Sequence, residues 1–459
     1  MQQVNEKKKF LEIFSNENVD FKKEILAGIT TFLTMAYIIA VNPNILGTDG
    51  IGMDKGALVT ATCLGAAFAS ILMGVYANLP FVLASGMGLN AYFAYSVVLG
   101  KGISWHIALT AVFVEGIIFI LMSLFKIREA VVNAIPMNMK HAVTAGIGLF
   151  IAFIGLTGSG AVVADESTYL ALGDFAMPTA IIAFIGLIII AVLDRKGMKA
   201  SILVGIVVST LLAWGYALMN PEAATALGIY LPTGIFKFES IAPVAGKVDL
   251  LYVLHPSNIM NFLVIVCTFL FVDFFDTVGT LVGVSSRAGM LDENGNVPNA
   301  GKALMVDAIG TTVGACLGIS TVTTYVESST GVAAGGRTGW TAITSGVLFL
   351  IAMFFSPIFI AIPSCATAPA LLYVGYLMLG AVKNIDFGEI TEGLPAFVTI
   401  AMMPLTYSIG DGLTMGVIVY VLINVLYNLF FAKQGEKKKV SVVMIILAII
   451  FVAKLLLLK

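Results

Sequence analysis

Charge is scarce in this chain. Of 459 residues, 11% are Asp, Glu, Lys or Arg and 59% are hydrophobic. A soluble domain carries about 25% charge, so the composition excludes one and indicates a polytopic membrane protein. The net charge is -2, and no basic stripe interleaves with aromatics, so nucleic-acid binding is not expected. Cysteine is rare too. Cys63, Cys267, Cys316 and Cys365 all lie in apolar stretches and form no CxxC pair. Neither a disulfide framework nor a metal site is expected, and all four read as small buried hydrophobes. His106, His141 and His255 fall at expected span ends or loops. The N-terminus MQQVNEKKKF lacks the apolar core and cleavage site of a signal peptide, so the first span is expected to stay in place. Enzyme templates are missing as well, with no GxSxG, HExxH or Walker A sequence in the right context, so no catalysis is expected.

What is abundant is apolar sequence and glycine, with 46 Gly that suit close helix packing and broken helices. Spans of about 20 apolar residues fit a bilayer core of about 30 Å. They are expected at 24–44, 57–77, 85–99, 104–125, 142–158, 177–194, 200–219, 258–286, 303–318, 324–334, 341–361, 367–382, 391–408 and 412–431. The segments at 85–99 and 324–334 are too short to cross alone. Each follows small or polar residues, Ala84-Ser-Gly-Met-Gly88 and Ser320-Thr-Val-Thr-Thr-Tyr325, which read as extended backbone leading into a half-helix. Such backbone is tolerated at membrane depth only inside protein or along a cavity. The two are third and tenth of fourteen. Interrupted segments at matching positions of two halves point to a transporter binding site, and seven spans per half make the second half inverted. The expected fold is therefore all-α, with fourteen transmembrane segments in a 7+7 inverted repeat.

Charge placement agrees with an N-terminus on the cytoplasmic side. Nineteen of the 25 Lys and Arg then face the cytoplasm and four face outside. The stretch 441–453 approaches a fifteenth span, and its path is left open.

The few charges inside spans stand out, since an intramembrane ionisable group is a functional-site hypothesis by default. Asp276 and Thr280 share a helix face, with Asp273 close by. Glu327 starts the second half-helix, where the helix dipole favours a carboxylate. Backbone N–H groups there, at Ser328, and at Gly86 to Asn90 can face a ligand. Asn90 offers both donor and acceptor, or caps the half-helix. Glu115 sits mid-span and competes as a proton site. Asp307, near Lys302, reads as a structural partner. Asp411 in Ser408-Ile-Gly-Asp-Gly412 resembles the Gly-Asp of intramembrane aspartyl proteases, but the companion Tyr-Asp pair is missing.

Three stretches carry a family resemblance: Gly86-Met-Gly-Leu-Asn-Ala-Tyr-Phe93, Phe274-Phe-Asp-Thr-Val-Gly-Thr-Leu281 and Thr324-Tyr-Val-Glu-Ser-Ser-Thr-Gly-Val-Ala-Ala-Gly-Gly-Arg-Thr338. With the span count, they resemble the nucleobase–cation symporter-2 (nucleobase/ascorbate transporter) family, and more closely its azaguanine-sensitive hypoxanthine/adenine/guanine permease branch. The resemblance implies a core domain of spans 1–4 and 8–11 (24–125 and 258–361). It implies a gate domain of spans 5–7 and 12–14 (126–219 and 362–431). A cytoplasmic N-terminus (1–23), an external loop (220–257) and a C-terminal tail (432–459) complete the layout. The base would be held by Asp276 and Glu327, with Asn90, Gly86, Thr280 and Ser328 beside it. Phe32, Tyr37 or Tyr325 would stack on its ring. Coupling to the proton gradient is expected, without other cofactors, through Asp276, Glu327, Asp273 or Glu115. The uracil permeases place His where Thr280 stands here, which fits a purine. The expected partners are a purine nucleobase and the lipid bilayer of the cell membrane, with a homodimer left open. A sulfate- or bicarbonate-type anion carrier on the same scaffold is the alternative.

Overall fold

In the computed structural model the chain is described over residues 19–124, 136–251, 259–287, 299–431 and 440–457, and at 290, 297 and 438. His255 and the basic residues Lys7 to Lys9, Lys126, Arg128, Lys433, Lys437 and Lys439 lie outside the described residues, as does the side chain of Asp276. The chain is mostly helical. Among the described residues, nine helices are long and apolar enough to cross a membrane, and Met87–Leu99, Gly339–Ala352 and Ile390–Leu405 are shorter apolar helices.

The first apolar run is broken. Helix α1 (Phe21–Met35) turns at Ala36 and Tyr37 and restarts as α2 (Ile38–Leu46). Helix α3 (Lys55–Leu72) begins at Asp54, whose carboxylate accepts from Ala57 N at 2.7 Å, and widens into a π-helical turn over Met73–Ala77. Strand β1 (Leu83–Ser85) then leads into α4 (Met87–Ala91), which continues π-helically through Tyr92–Leu99. Next come α5 (Trp105–Leu124) and α6 (Met137–Gly158), an exposed hairpin of β2 (Val162–Asp165) and β3 (Tyr169–Leu172), α7 (Pro178–Arg195), α8 (Ser201–Met219) and the short α9 (Pro221–Ala226).

The second half runs α10 (Ile259–Arg287), α11 (Ala300–Leu317), β4 (Val322–Thr324) and α12 (Ser328–Ala333). It continues with α13 (Gly339–Ala352), α14 (Ser356–Ile360), α15 (Ser364–Leu379), α16 (Ile390–Leu405) and α17 (Ile409–Phe430). The expected span at 341–361 is thus two helices. The tail at 441–453 is a helix, α18 (Val442–Leu457), packed on α17.

Packing falls into two groups. Helices α1, α3, α5, α10, α11 and α13 pack mainly on one another, and so do α6, α7, α8, α15, α16 and α17. Small residues permit the close approaches. A Cβ at Gly375 of α15 would collide with the Gly148 carbonyl of α6, so only glycine fits there. Two expectations about cysteine need correction. Cys63 and Cys365 are buried, but Cys316 is exposed and Cys267 is half-buried, because their helix faces point away from the packed interior.

Candidate substrate site

The centre of the molecule is a crossing of two extended segments. Strands β1 and β4 pair antiparallel, with Leu83 opposite Thr324, Ala84 opposite Thr323 and Ser85 opposite Val322. Gly86 N adds a bond to Thr321 O at 3.0 Å. A two-stranded ribbon leaves one backbone edge of each strand without a partner, and buried backbone must find one. Side-chain hydroxyls supply it. Ser70 of α3 donates to Leu83 O and accepts from Leu83 N, both at 3.0 Å. Thr311 of α11 donates to Val322 O at 3.1 Å and accepts from Val322 N at 3.3 Å. Ser328 Oγ accepts from Val82 N at 3.0 Å. The helix preceding each strand therefore clamps that strand with one hydroxyl.

Asn90 lies one turn into α4 and is fully buried. It does not cap the helix, whose N-cap is Gly86. Its Oδ1 accepts from Ser85 Oγ at 2.8 Å and from Ser320 Oγ, so the amide ties both sides of the crossing together. Among the described residues Asn90 Nδ2 has no hydrogen-bond partner. Glu115 of α5, also fully buried, accepts from the Thr321 hydroxyl at 3.3 Å. Both polar groups thus sit against the strands.

Glu327 occupies the N-cap of α12 and is half-buried. It accepts a hydrogen bond from the Tyr37 hydroxyl at 2.7 Å. Its carbonyl accepts from Thr330 N at 2.9 Å and from the Thr330 hydroxyl at 2.7 Å. Lys199, in the α7–α8 turn, donates from Nζ to Thr330 O at 3.2 Å.

Helix α10 carries the other acidic group. Asp273 is fully buried, as is Asp307 of α11. The Thr277 hydroxyl lies between them, 3.0 Å from Asp307 Oδ2 and 3.4 Å from Asp273 Oδ1. Lys302, the neighbour expected for Asp307, instead sits over the Tyr76 ring, 5.8 Å from its centroid. Thr280 is half-buried on the same helix. Among the described residues no group of three or more His, Cys, Asp or Glu could hold a metal ion.

The three aromatics expected to stack on a ligand are engaged elsewhere. Phe32 packs edge-on against Phe349 at 5.1 Å, Tyr37 donates to Glu327, and Tyr325 donates to Ser85 O. Sequence reasoning also missed Ser70, Thr277, Thr311, Ser320 and the buried Glu24. Glu24 of α1 accepts from Arg337 N at 2.9 Å, Thr338 N at 3.1 Å and the Thr341 hydroxyl at 2.5 Å, and so anchors the start of α13. Its signal is a carboxylate at the very start of the first expected span, directly before Ile25, which reads equally well as a membrane-edge charge.

The Permease family model of xanthine/uracil permeases matches residues 22–415. A permease from Methanocaldococcus jannaschii is 46% identical, with 95% of each chain covered. The adenine permease AdeP of Escherichia coli is 40% identical, over 95% of this chain and 92% of its own. The guanine/hypoxanthine permease PbuG of Bacillus subtilis is 41% identical, over 97% and 99%. Among solved structures, the transmembrane domain of the cyanobacterial bicarbonate transporter BicA superposes with a TM-score of 0.64 at 16% identity. It covers 86% of this chain and 98% of that one, and at this identity the likeness is one of fold.

Proposed function

From the chain's membership of the xanthine/uracil permease family, the nucleobase–cation symporter-2 family, we propose that it takes up a purine base, guanine, hypoxanthine or adenine, in symport with protons. It is a multi-pass membrane permease and not an enzyme. The observation that carries the proposal is the half-buried carboxylate of Glu327 at the start of a half-helix beside the strand crossing. A carboxylate there accepts the ring N–H and exocyclic N–H of a purine, and such bonds discriminate strongly against analogues that lack the donor. Asp276 would face the base from α10 with Thr280, and Gly86, Asn90 and Ser328 would complete its edge. The proton would ride on Asp276, Glu327, Asp273 or Glu115, because a buried carboxyl can load and release protons near neutral pH.

The two packing groups are then a core, which holds the base, and a gate, against which the core moves. The fourteen-span 7+7 layout, with a cytoplasmic N-terminus, is part of this proposal. The paired strands, each clamped by a hydroxyl from the helix before it, favour it. An anion cargo on the same scaffold is disfavoured, since Asp276 and Glu327, the two acidic groups that face the cargo in this reading, would repel it.

The test is uptake of labelled hypoxanthine, guanine and adenine into proteoliposomes, with and without an inward proton gradient. Saturable uptake that rises with the gradient is expected. Uptake indifferent to the gradient removes the proton from the proposal, and no purine uptake by folded protein removes the purine.

A further inference from the structure

We infer that Tyr37 is a positioning residue for substrate recognition, fixing the Glu327 carboxylate through its phenol. The inference rests on the reading that Glu327 holds the base. Three observations carry it. First, Tyr37 stands at the turn between α1 and α2, in a run with neither Gly nor Pro at the break. An interrupted helix inside a membrane is tolerated where the freed backbone lines a site or is buried in protein. The interruption brings the ring inward, where it is 1% exposed and its hydroxyl donates to Glu327 Oε1 at 2.7 Å.

Second, the Glu327 side chain makes no capping hydrogen bond to α12, and the Tyr37 phenol is a contact that reaches it from another helix. A Glu side chain has several free rotors, and freezing them on binding lowers affinity. A buried phenol that holds one oxygen beforehand reduces that loss, and a hydrogen bond to an ionised acceptor is about twice as strong as a neutral one.

Third, the two partners are held in register by the helices that carry them. The Thr34 hydroxyl of α1 lies 3.1 Å from that of Thr330 in α12. A Cβ at Gly331 would meet the Thr31 hydroxyl and the Ala27 carbonyl, so α12 lies directly on α1. Ala27, Thr31 and Thr34 are spaced to share one face of α1, and the face ends at Tyr37. The break in α1 is thus placed where its phenol meets the first residue of the half-helix.

The experiment compares hypoxanthine transport by the full chain and by Tyr37→Phe, Glu327→Gln and the double variant. All are purified and reconstituted at equal protein, with hypoxanthine affinity measured alongside. Tyr37→Phe keeps the ring and removes only the hydroxyl. The expected result is an affinity about tenfold weaker with turnover at saturation within about twofold of the parent. Glu327→Gln is weaker still, and the double variant is no weaker than Glu327→Gln alone, because the hydroxyl acts only through that carboxylate. Parental affinity in Tyr37→Phe while Glu327→Gln is impaired would overturn the inference and leave the functional reading standing. So would losses from the two changes that multiply, or a fall in turnover at unchanged affinity. Parental affinity in Glu327→Gln would overturn the functional reading beneath it.

Discussion

The two half-helices at the strand crossing look alike in outline and differ in what they present. Helix α4 continues through π-helical turns to Leu99, and its one central polar side chain, Asn90, is buried with its oxygen spent on two serines. Helix α12 is six residues long, and it begins with a carboxylate that is half-buried. One end ties the crossing together through an amide, and the other places a carboxylate beside it. The backbone of the crossing is satisfied by hydroxyls, as Ser70, Thr311 and Ser328 show. A carboxylate adds nothing to that need, so its presence at α12 calls for a different cause.

The sharpest way to break this comparison is to neutralise the charged end. Glu327→Gln should reduce the ratio of purine turnover to KM by about 30-fold or more while membrane abundance stays close to parental, since bonds to ionised groups contribute about 1.5–3 kcal/mol. Kinetics in proteoliposomes with quantified protein check it.

Asn90→Ala tests the structural end. It strips the shared acceptor from two buried serine hydroxyls and leaves them only the bond to each other, so one donor is orphaned at a cost of about 1–3 kcal/mol. Thermal unfolding in detergent should fall by several degrees, more than for Glu327→Gln. A larger loss of stability in Glu327→Gln would reverse the assignment of the two ends.

The clamp pair sharpens the symmetry. Ser70→Ala and Thr311→Val each orphan one buried N–H and one C=O, so both should destabilise by a similar amount, about 1–3 kcal/mol, without shifting substrate affinity. Markedly unequal losses would mean that the strands are not equivalent.

The smallest effect lies far from the centre. Glu389 caps α16, and its hydrogen bonds from the Thr391 hydroxyl and backbone N–H, with Lys438 nearby, hold its carboxyl below the usual range. A depressed carboxylate stabilises above its unfolded pKa and loses that contribution as pH falls through its folded value. The difference in melting temperature between the parent and Glu389→Gln should be slight at neutral pH and vanish in acid. Unfolding scans from pH 7 to pH 3 check it.

Hydropathy and composition made the broken segments and Glu327 legible, because a charge or a run of small polar residues is conspicuous in apolar sequence. Strand β1 begins two residues before the expected segment at 85–99, and β4 two before that at 324–334, so the half-helix entries were read closely. The break at Tyr37 was not legible. Met35-Ala-Tyr-Ile38 is as apolar and helix-compatible as its flanks, and tertiary packing alone makes the turn. Ser70 and Thr311 were invisible for a different reason. Hydroxyls in apolar helices mostly bond back to their own backbone, as Thr62 does to Leu58 O at 2.6 Å, and nothing local marks the ones that serve a strand. Asp307 was assigned to Lys302 by nearness in sequence, and the Thr277 hydroxyl one helix away took it instead.

The most direct measurement is equilibrium binding of labelled hypoxanthine, guanine and adenine to the purified parent and to Glu327→Gln, with both confirmed folded by thermal unfolding. The account predicts saturable binding of at least one purine by the parent and an affinity at least about tenfold weaker in the variant. Equal affinity in the two proteins would contradict it and move the substrate away from the half-helix at Glu327.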